Sequence, residues 1–437
     1  MIDPLSSPLL TDLYEYTMLQ SYLELGMEGT AAFEFFVRKL PENRNFLVSA
    51  GLEEVLVFLE NMRFSEEELA WLRTRFPSRL IDYLSNFRFE GDVDAMPEGT
   101  LFFRNEPILR VTAPLPQAQL VESRLMNLLN FETLIASKAS RSVLIAPDKL
   151  LVDFGLRRAH GAEAGLLAAR ASYLAGFSGT ATVLAGMKYD IPVFGTMAHS
   201  FVQAHANELL AFEHFASSHP GSTLLIDTYD VEEAARKVVC LCKKGFSIRS
   251  VRIDSGDLAK HASNVRKILD EAGLDGITIF ASGNLDETRL EDLVDAPIDG
   301  FGIGTALVTS GDYPMLDCAY KLQEYDGRAC RKRSEGKATW PGRKQVFRQF
   351  DANGEMHGDV LTLEEDRLEG EALIHPVMRQ GKRIFERRTL HEIRQKTIEN
   401  YQRLPEPLRR LEPAPYPVEI SLKLAELAER TGEIKSA

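Results

Sequence analysis

Residues 250–257 read SVRIDSGD, and the segment that follows them, residues 258–273, reads LAKHASNVRKILDEAG. The first segment is a short apolar run that ends in charged and small residues, a pattern typical of a parallel strand buried on both faces. The second segment repeats apolar residues three and four positions apart, which predicts an amphipathic helix. Together the two segments predict one βα unit, the repeating element of parallel sheets.

The same alternation of strand and helix continues from about residue 120 to about residue 320. The predicted strands cover residues 150–158, 192–200, 223–229, 250–257, 277–284 and 300–307. A βα repeat of this length predicts either a doubly wound open sheet or an α/β barrel.

Reactive side chains at the ends of the predicted strands favour the barrel. A barrel lets every strand contribute a functional group to one rim, whereas an open sheet concentrates such groups at one switch point. Nearly every predicted strand ends in such groups, and they are Arg157, Arg158, Thr196, His199, Asp227, Arg252, Asp254, Ser282, Asn284 and Thr305. Because only six strands are clear, we expect an irregular, incomplete barrel.

The chain is too long for one ordinary core, and its pattern changes along its length. We predict an N-terminal α/β domain over residues 1–120, the barrel with the active site over residues 121–325, and a C-terminal extension over residues 326–437. In the first domain, a helix stops at Gly26 and an alternating strand follows. The extension contains hairpin turns and two amphipathic helices, and we expect it to pack back on the N-terminal domain.

Composition narrows the class of protein. Of the 437 residues, 44% are apolar and 26% are charged, as in folded soluble proteins. The formal charge of -13 argues against a nucleic-acid or membrane surface, so a phosphorylated ligand would need a local cationic pocket. Cys240, Cys242, Cys318 and Cys330 form neither a zinc pattern nor a disulfide framework. With no recognisable signal peptide or transmembrane span, we expect a cytoplasmic protein with reduced thiols.

Two late strands suggest a site for phosphate. Residues 281–284 (ASGN) and 302–305 (GIGT) each place glycine beside a small polar residue. Glycine lets main-chain N–H groups approach an anion, and phosphate sites in barrels lie on the loops of the last strands. The alternative, that these glycines only form tight βα turns, remains open.

The segment at residues 250–257 carries a second signal. Arg252 and Asp254 lie two positions apart in an extended strand and so share one face. Asp254 and Asp257 could hold Mg²⁺ together with substrate phosphates, or Asp254 or Ser255 could cap the helix that begins at Leu258. His199, at the end of the predicted strand over residues 192–200, is either a nucleophile or a histidine satisfied by local hydrogen bonds. The chain has no GxxxxGK[ST] loop and no GxGxxG turn after the first strand, so the sequence supports neither a P-loop enzyme nor a Rossmann dehydrogenase.

Several motifs resemble those of one enzyme family, the nicotinate phosphoribosyltransferases. They are TDLYEYTM (residues 11–18), FEFFVRKLP (33–41), AGLEEVL (50–56), NFETLIASKASR (130–141), DFGLRRAHG (153–161), GTMAHSF (195–201), RIDSGDL (252–258) and GIGTALVT (302–309). The resemblance covers most of the chain, and DFGLRR followed by GTMAHSF is its most specific part. It implies an open-faced N-terminal α/β domain beside an irregular barrel, and a homodimer whose active site is shared between subunits.

The resemblance also implies a reaction. Members of this family form nicotinate mononucleotide and diphosphate from nicotinate and 5-phosphoribosyl diphosphate, with coupled ATP hydrolysis and Mg²⁺, in NAD biosynthesis. His199 then corresponds to the histidine that ATP phosphorylates. Asp254, together with Arg252, corresponds to the residues that contact phosphate and Mg²⁺.

The remaining roles follow from the same motifs. Nicotinate would be held by Phe154, Arg157, Thr196 and Arg252, with Tyr14 stacking on the ring from the neighbouring subunit. The phosphoribosyl group would be held by Arg252, Gly283, Asn284, Gly304 and Thr305. Lys138 and Arg141 are further candidates to neutralise the diphosphate.

At two places this sequence differs from some members of the wider family, and both differences bear on the expected ligands. Relatives that use nicotinamide carry an aspartate where this chain has Ala181, and a carboxylate there would repel nicotinate. We therefore expect nicotinate to be preferred. Some relatives carry a C-terminal cysteine cluster for zinc, but this chain has no cysteine after Cys330, so no zinc is expected. The alternatives are a nicotinamide- or quinolinate-using type II phosphoribosyltransferase, and a non-catalytic nucleotide-binding relative.

Overall fold

A computed structural model describes residues 6–432 of the chain. Its strands, in chain order, are β1 (Thr30–Val37), β2 (Leu47–Val48), β3 (Asp92–Ala95), β4 (Leu101–Phe102), β5 (Pro107–Pro114), β6 (Leu150–Asp153), β7 (Gly179–Thr180), β8 (Ser222–Leu225), β9 (Ile248–Ile253), β10 (Thr278–Ser282), β11 (Gly300–Ile303), β12 (Cys318–Tyr325), β13 (Arg328–Ala329), β14 (Lys344–Phe350), β15 (Met356–Leu363), β16 (Glu371–Ala372), β17 (His375–Arg379), β18 (Lys382–Arg383) and β19 (Val418–Ile420).

The α-helices alternate with these strands over much of the chain. They are α1 (Leu13–Leu25), α2 (Leu52–Asn61), α3 (Glu66–Arg73), α4 (Ser78–Ser85), α5 (Leu115–Leu120), α6 (Glu122–Ile145), α7 (Ala162–Leu174), α8 (Val183–Tyr189), α9 (His199–Gln203), α10 (Glu208–Ser218), α11 (Val231–Lys243), α12 (Leu258–Glu271), α13 (Glu287–Leu293), α14 (Thr305–Thr309), α15 (Leu390–Gln402), α16 (Glu406–Arg409) and α17 (Leu422–Gly432).

The chain folds into two compact units. The barrel unit is Lys138–Pro314, and the two-segment unit combines Met1–Ser137 with Met315–Ala437. Residues 318–325 form β12, which pairs antiparallel with β1, so the chain after Pro314 returns to the sheet that its N-terminal segment began.

The barrel unit contains a curled sheet of six strands in the order β7-β6-β11-β10-β9-β8. Each pair of neighbouring strands is parallel, as expected when helices cross over between successive strands. Every residue of β11 is buried, as are four of the five residues of β10, because the strands are covered on both faces. The predicted α/β class with an irregular, incomplete barrel is confirmed.

Side-chain caps fix where several crossover helices begin. Asp230, Asp257 and Asp286 each accept a hydrogen bond from the main-chain N–H three residues further on, which starts α11, α12 and α13. Because Asp257 caps α12, the alternative that Asp254 or Ser255 caps this helix is wrong. The carboxylate of Asp254 is therefore not used as a helix cap.

The prediction of a strand over residues 192–200 is wrong. In that segment only Val193 makes a bridge, to Thr180, and His199 already begins the short helix α9. The sheet instead uses β7, which sequence analysis missed because two residues are too few for a periodic pattern. The strand predicted over residues 150–158 ends at Asp153, and Leu156–Arg158 form a turn of 3-10 helix.

The two-segment unit contains an antiparallel sheet of seven strands in the order β13-β12-β1-β5-β3-β17-β18, beside a four-stranded sheet β16-β14-β15-β19. The predicted alternation of buried and exposed residues in β1 is wrong. Every residue after Thr30 in this strand is buried. The predicted hairpin turn between β12 and β13 is confirmed, with both Asp326 and Gly327 at positive φ. Helices α15 and α17 confirm the two predicted C-terminal helices.

Within residues 6–432, no helix combines the length and the apolar character needed to cross a bilayer.

All four cysteines of the chain are free thiols.

A buried ion cluster joins the first strand of the two-segment unit to β14. Glu34 is fully buried, and its carboxylate lies 2.7 Å from Nζ of Lys344 and accepts the main-chain N–H of Lys344 at 2.8 Å. Nζ of Lys344 also donates to the carbonyls of Trp340 and Gly342 at 2.8 and 2.9 Å. Burial lowers the pKa of Lys344, and Glu34 counteracts this by favouring the ammonium form.

We predict that Glu34→Ala destabilises the two-segment unit by about 3–5 kcal/mol, because the ammonium of Lys344 would remain buried without its carboxylate. Denaturant unfolding followed by circular dichroism measures this change. The matched control is Glu399→Ala, whose carboxylate is 46% exposed and pairs with Lys396 on the same helix. It should cost less than about 0.5 kcal/mol, and equal costs for the two variants would contradict the role of the buried pair.

Candidate active site

The carboxyl ends of the parallel strands bring most of the predicted site residues to one edge of the barrel unit. The residues that follow or end these strands are Phe154 and Arg157 after β6, Ala181 after β7, Asp227 and Thr228 after β8, Arg252 and Asp254 on and after β9, Ser282, Gly283 and Asn284 on and after β10, and Gly304 and Thr305 after β11. We call this edge the rim. Loops at this edge carry function in α/β barrels because the strands beneath them are rigid.

Two carboxylates are linked on the rim. Asp227 accepts hydrogen bonds through Oδ2 from the main-chain N–H of Asp254 at 3.1 Å and from Oγ of Ser255 at 2.6 Å. Asp254 in turn accepts the hydroxyl of Ser282 through Oδ1. Oδ1 of Asp227 is buried and has no hydrogen-bond partner among the described residues. Sequence analysis noted Asp227 at a strand end but gave it no role.

These two carboxylates fit a magnesium site that is completed by the substrate. No cluster of three or more metal-binding side chains occurs within residues 6–432. Mg²⁺ is commonly held by one or two carboxylates together with substrate phosphates, so it does not need such a cluster. The unpartnered oxygen of Asp227 and the carboxylate of Asp254 are the oxygen ligands that this part of the chain offers.

Arg252 connects the predicted nicotinate residues. Its Nη1 donates to Oγ1 of Thr196 at 2.8 Å, and its guanidinium carbon lies 6.0 Å from the centre of the Phe154 ring. Its Nε is buried and has no partner among the described residues. Burial lowers the pKa of Arg252, while the carboxylates of Asp254 and Asp227 favour the charged form. A cation beside an aromatic face and a hydroxyl can recognise a planar anion.

A cavity of about 460 Å³ lies toward the amino ends of the strands, away from the rim. Phe154 and Thr196 line it together with Phe194, Phe280 and residues at the amino ends of β8 to β11. Its size falls within the range of small-molecule sites. Arg252 does not line this cavity, and only its contacts with Thr196 and Phe154 bring the three residues together. Their role in binding nicotinate remains a prediction.

The turns on the rim approach each other closely at two glycines. Gly283 has φ +100°, and a Cβ at this position would lie 2.1 Å from the carbonyl oxygen of Asp254. At Gly304, a Cβ would lie 3.1 Å from the carbonyl oxygen of Phe154. Asn284 also has positive φ, at +50°. Tight packing between neighbouring turns thus explains these glycines, and their role in phosphate binding remains a prediction.

His199 lies at the start of α9 with one ring nitrogen engaged. Its Nδ1 is 3.1 Å from Oγ1 of Thr228, the residue after Asp227, and its Nε2 has no hydrogen bond to a described residue. In His205 both ring nitrogens are engaged, Nδ1 with the carbonyl of Phe201 at 2.7 Å and Nε2 with His214 at 3.1 Å. His199 is therefore the better placed of the two to act as a nucleophile.

Lys138 and Arg141 are held by carboxylates. Nζ of Lys138 lies 2.8 Å from both Glu287 and Asp312, and Nε of Arg141 lies 2.9 Å from Glu287. Although burial opposes it, the pKa of Glu287 is lowered by Lys138 and Arg141. Their assignment to the diphosphate remains a prediction, and a diphosphate would have to compete with these ion pairs.

Three other predicted residues have fewer contacts. Arg157 is exposed in the 3-10 turn after β6, and Thr305 is exposed at the start of α14. Tyr14 lies on α1 in the two-segment unit and is 41% exposed. Their roles remain predictions.

Sequence analysis missed Asp153, which organises the turn that carries Phe154. Asp153 is fully buried and accepts the main-chain N–H of Gly155 at 2.8 Å and the hydroxyl of Thr180 at 2.7 Å. Its carbonyl accepts the N–H of Ala181 at 2.8 Å. Burial raises the pKa of Asp153, and the two hydrogen bonds oppose that rise. An aspartate inside an apolar strand and directly before a glycine turn is the signal that could have identified it.

A curled half-barrel with cations, carboxylates and glycine turns on one rim defines a type II phosphoribosyltransferase fold. Among solved structures, the chain is similar to human nicotinic acid phosphoribosyltransferase, with a TM-score of 0.86 and 29% identity over 96% of this chain and 99% of that one. It is also similar to nicotinate-nucleotide pyrophosphorylase from Pyrococcus furiosus, with a TM-score of 0.75 and 27% identity over 92% and 97% of the two chains.

Sequence comparison names the family. The chain matches the nicotinate phosphoribosyltransferase N-terminal domain over residues 9–130, the nicotinate phosphoribosyltransferase family over residues 150–328 and the C-terminal domain over residues 366–428. It is 47% identical over 423 residues to nicotinate phosphoribosyltransferase pncB2 of Mycobacterium tuberculosis, covering 94% of this chain and 91% of that protein. It is 36% identical to nicotinate phosphoribosyltransferase of Bacillus subtilis, over 98% and 95% of the two chains. The chain belongs to the nicotinate phosphoribosyltransferase family, which confirms the resemblance.

We predict that Gly283→Ala destabilises the barrel unit by more than the cost of positive φ alone. The matched control is Gly273→Ala, since Gly273 also has positive φ (+73°) but open space where a Cβ would be. The control should lose about 1–2 kcal/mol, the cost of a left-handed conformation for a residue with a Cβ. Gly283→Ala should lose more because the carbonyl of Asp254 must move, and denaturant unfolding measures both. Equal losses would show that this carbonyl moves freely.

Proposed function

We propose that this protein transfers the phosphoribosyl group of 5-phosphoribosyl diphosphate to nicotinate, with coupled ATP hydrolysis through phosphorylation of His199. Family membership supports the transfer reaction. The observation that carries the proposal is the group formed by Arg252, Thr196 and Phe154 beside the linked carboxylates of Asp227 and Asp254. It offers a site for a planar carboxylate next to a site for a diphosphate and its metal.

The first part of the site would bind nicotinate. Phe154 offers an aromatic surface, and Arg252 has a buried Nε without a partner among the described residues. Arg157 would add a second guanidinium, exposed and able to reach a ligand. A carboxylate held by guanidinium groups forms charge-assisted hydrogen bonds, which favour nicotinate over an uncharged amide.

The second part would support the departure of diphosphate. The pyridine nitrogen of nicotinate forms a bond to C1′ of the ribose, and the bond from C1′ to the diphosphate oxygen breaks with its electron pair on that oxygen. The ribosyl centre gains positive charge during this exchange, so positioning and electrostatics dominate catalysis. Mg²⁺, when bound, supplies positive charge to the leaving diphosphate. Asp254 and Asp227 would hold it, while Ser282 orients Asp254.

His199 would accept the phosphoryl group of ATP. The contact with Thr228 orients the ring through Nδ1 and leaves Nε2 available as the nucleophile. Attack of Nε2 on the terminal phosphorus forms a nitrogen–phosphorus bond and releases ADP, and later hydrolysis releases phosphate. The added negative charge could order loops on the rim before the sugar transfer.

We also propose that the enzyme is a homodimer in which Tyr14 of one subunit contacts nicotinate bound to the other. The support is the motif TDLYEYTM, in which Tyr14 is 41% exposed. Sedimentation equilibrium that shows only a monomer would remove this part of the proposal.

One incubation tests the main proposal. The protein is mixed with nicotinate, 5-phosphoribosyl diphosphate and Mg²⁺, with and without ATP, and nicotinate mononucleotide and diphosphate are measured. We expect both products, in larger amount with ATP. In a parallel incubation with quinolinate in place of nicotinate, release of carbon dioxide would indicate the quinolinate-using class. Nucleotide binding without product would indicate a non-catalytic relative.

For the ATP step, we predict that His199→Ala abolishes stimulation by ATP and leaves weak ATP-independent synthesis. The reason is that the variant retains the group around Arg252 but lacks the acceptor imidazole. Acid-labile radioactive phosphate on the protein, measured after incubation with labelled ATP, should disappear. The matched control His205→Ala should keep both the label and the stimulation. A labelled His199→Ala protein would assign the phosphate to another residue.

For substrate choice, we predict that Ala181→Asp lowers kcat/KM for nicotinate by roughly 10–100-fold, because a carboxylate on the rim would repel that of the substrate. Ala181 is exposed directly after β7, so the substitution should not disturb the core. Ala181→Asn is the matched control of the same shape without charge. If both variants lose nicotinate activity equally, charge is not the cause.

A further inference from the structure

A second cavity, of about 370 Å³, lies within the two-segment unit. Its lining comes from α2, β14, β15, β17 and α15, and none of its residues takes part in the proposed transfer reaction. Its size falls within the range of sites for small ligands. We call it the α15 cavity.

The walls of the α15 cavity are mainly apolar. Met356, Leu373, Val377 and Ile393 line it, and their exposed fractions are 2%, 4%, 6% and 9%. Such walls favour the flat or branched hydrocarbon part of a ligand, because its burial removes apolar surface from water.

The carboxylates that line the cavity already have partners. Glu53 forms ion pairs with Arg383 at 2.7 Å and with Arg387 at 3.1 Å. Glu371 pairs with Arg403 at 3.3 Å. Glu98 accepts the main-chain N–H of Gly51 at 2.7 Å. The lining therefore offers little unpaired negative charge to a ligand.

Three cations of the lining retain N–H groups that a ligand could use. Arg348 is 2% exposed, and Asp359 balances its charge by pairing with Nε and Nη2 at 2.9 and 2.6 Å, with the buried Glu106 also favouring its charged form. Its Nη1 has no hydrogen bond to a described residue. Arg388 is exposed and has no hydrogen-bond or ion-pair partner among the described residues. Lys396 adds a third positive charge, 3.3 Å from Glu399 and 49% exposed. The charge of Arg388, together with the Nη1 of Arg348, lies beside apolar walls and is suited to an acidic head group.

We propose that the α15 cavity binds a small organic anion that has an apolar body and one acidic head group. The body lies against Met356, Leu373 and Ile393, and the head group is bound by Arg348 and Arg388. The fluorescent sulfonate 1-anilinonaphthalene-8-sulfonate has this chemistry, and N-phenyl-1-naphthylamine is a closely similar molecule without the charge.

Fluorescence titration of the native full-length protein with these two probes tests the proposal. We expect saturable binding of the sulfonate at one site per chain, and at least about tenfold weaker binding of the uncharged amine, as the loss of a charge-assisted contact implies. No saturable binding, or equal binding of both probes, would overturn the proposal.

Variants locate the site. Arg388→Ala should raise the Kd of the sulfonate about tenfold, since a charge-assisted contact is lost. Val377→Phe should abolish binding by filling the cavity. Arg79→Ala, an exposed arginine of the same unit outside the cavity, is the matched control and should leave the Kd unchanged. Because Arg388 is exposed, this variant remains informative even if Val377→Phe fails to fold, and an unchanged Kd in Arg388→Ala would refute the assignment.

The same titration separates this site from the rim. Nicotinate should not displace the sulfonate, and Arg252→Ala should leave its Kd unchanged. Displacement by nicotinate would place the probe on the rim and refute binding in the α15 cavity. The readout does not depend on phosphoribosyl transfer, so a failure here and a failure of the proposed reaction are distinguishable.

Discussion

The hydrogen bonds that Asp227 accepts from Asp254 and Ser255 are the contacts on which the candidate site depends. They join the turns after β8 and β9 and turn Asp254 toward Ser282 on β10. Three neighbouring strands thus end in one hydrogen-bonded group. Parallel strands make this possible because their carboxyl ends lie at one edge, but a specific acceptor is needed to hold the turns there.

A second constraint is the space between these turns. At Gly283 the carbonyl of Asp254 occupies the position of a side chain, and at Gly304 the carbonyl of Phe154 lies close by. The buried Asp153 also fixes a turn, because its carboxylate accepts hydrogen bonds from the N–H of Gly155 and the hydroxyl of Thr180. Contacts between the turns and with the buried Asp153 therefore decide where Phe154 and Asp254 lie.

Charged residues that look alike in the sequence have different roles in the structure. Lys138 and Arg141 are satisfied by Glu287 and Asp312, so their charge is largely used within the fold. Arg252 donates to a hydroxyl and retains a buried nitrogen without a partner among the described residues, and is therefore the cation better suited to a ligand. Arg348 in the two-segment unit lies between these cases, because Asp359 pairs with its Nε and Nη2 and only its Nη1 lacks a hydrogen bond to a described residue. The difference lies in the partners that folding brings to each cation.

The sequence by itself determined the α/β class, the incomplete barrel, the family and the grouping of Phe154, Thr196 and Arg252. Apolar periodicity and the order of motifs depend on residues close together in the chain, so they can be recognised from the sequence alone. Only the tertiary structure decided that His199 begins a helix, that β7 completes the sheet, and that Asp153 and Asp227 organise the rim. No local sequence pattern predicts two-residue strands, the partners of buried charged groups or the contacts between turns. These features depend on residues that are far apart in the chain.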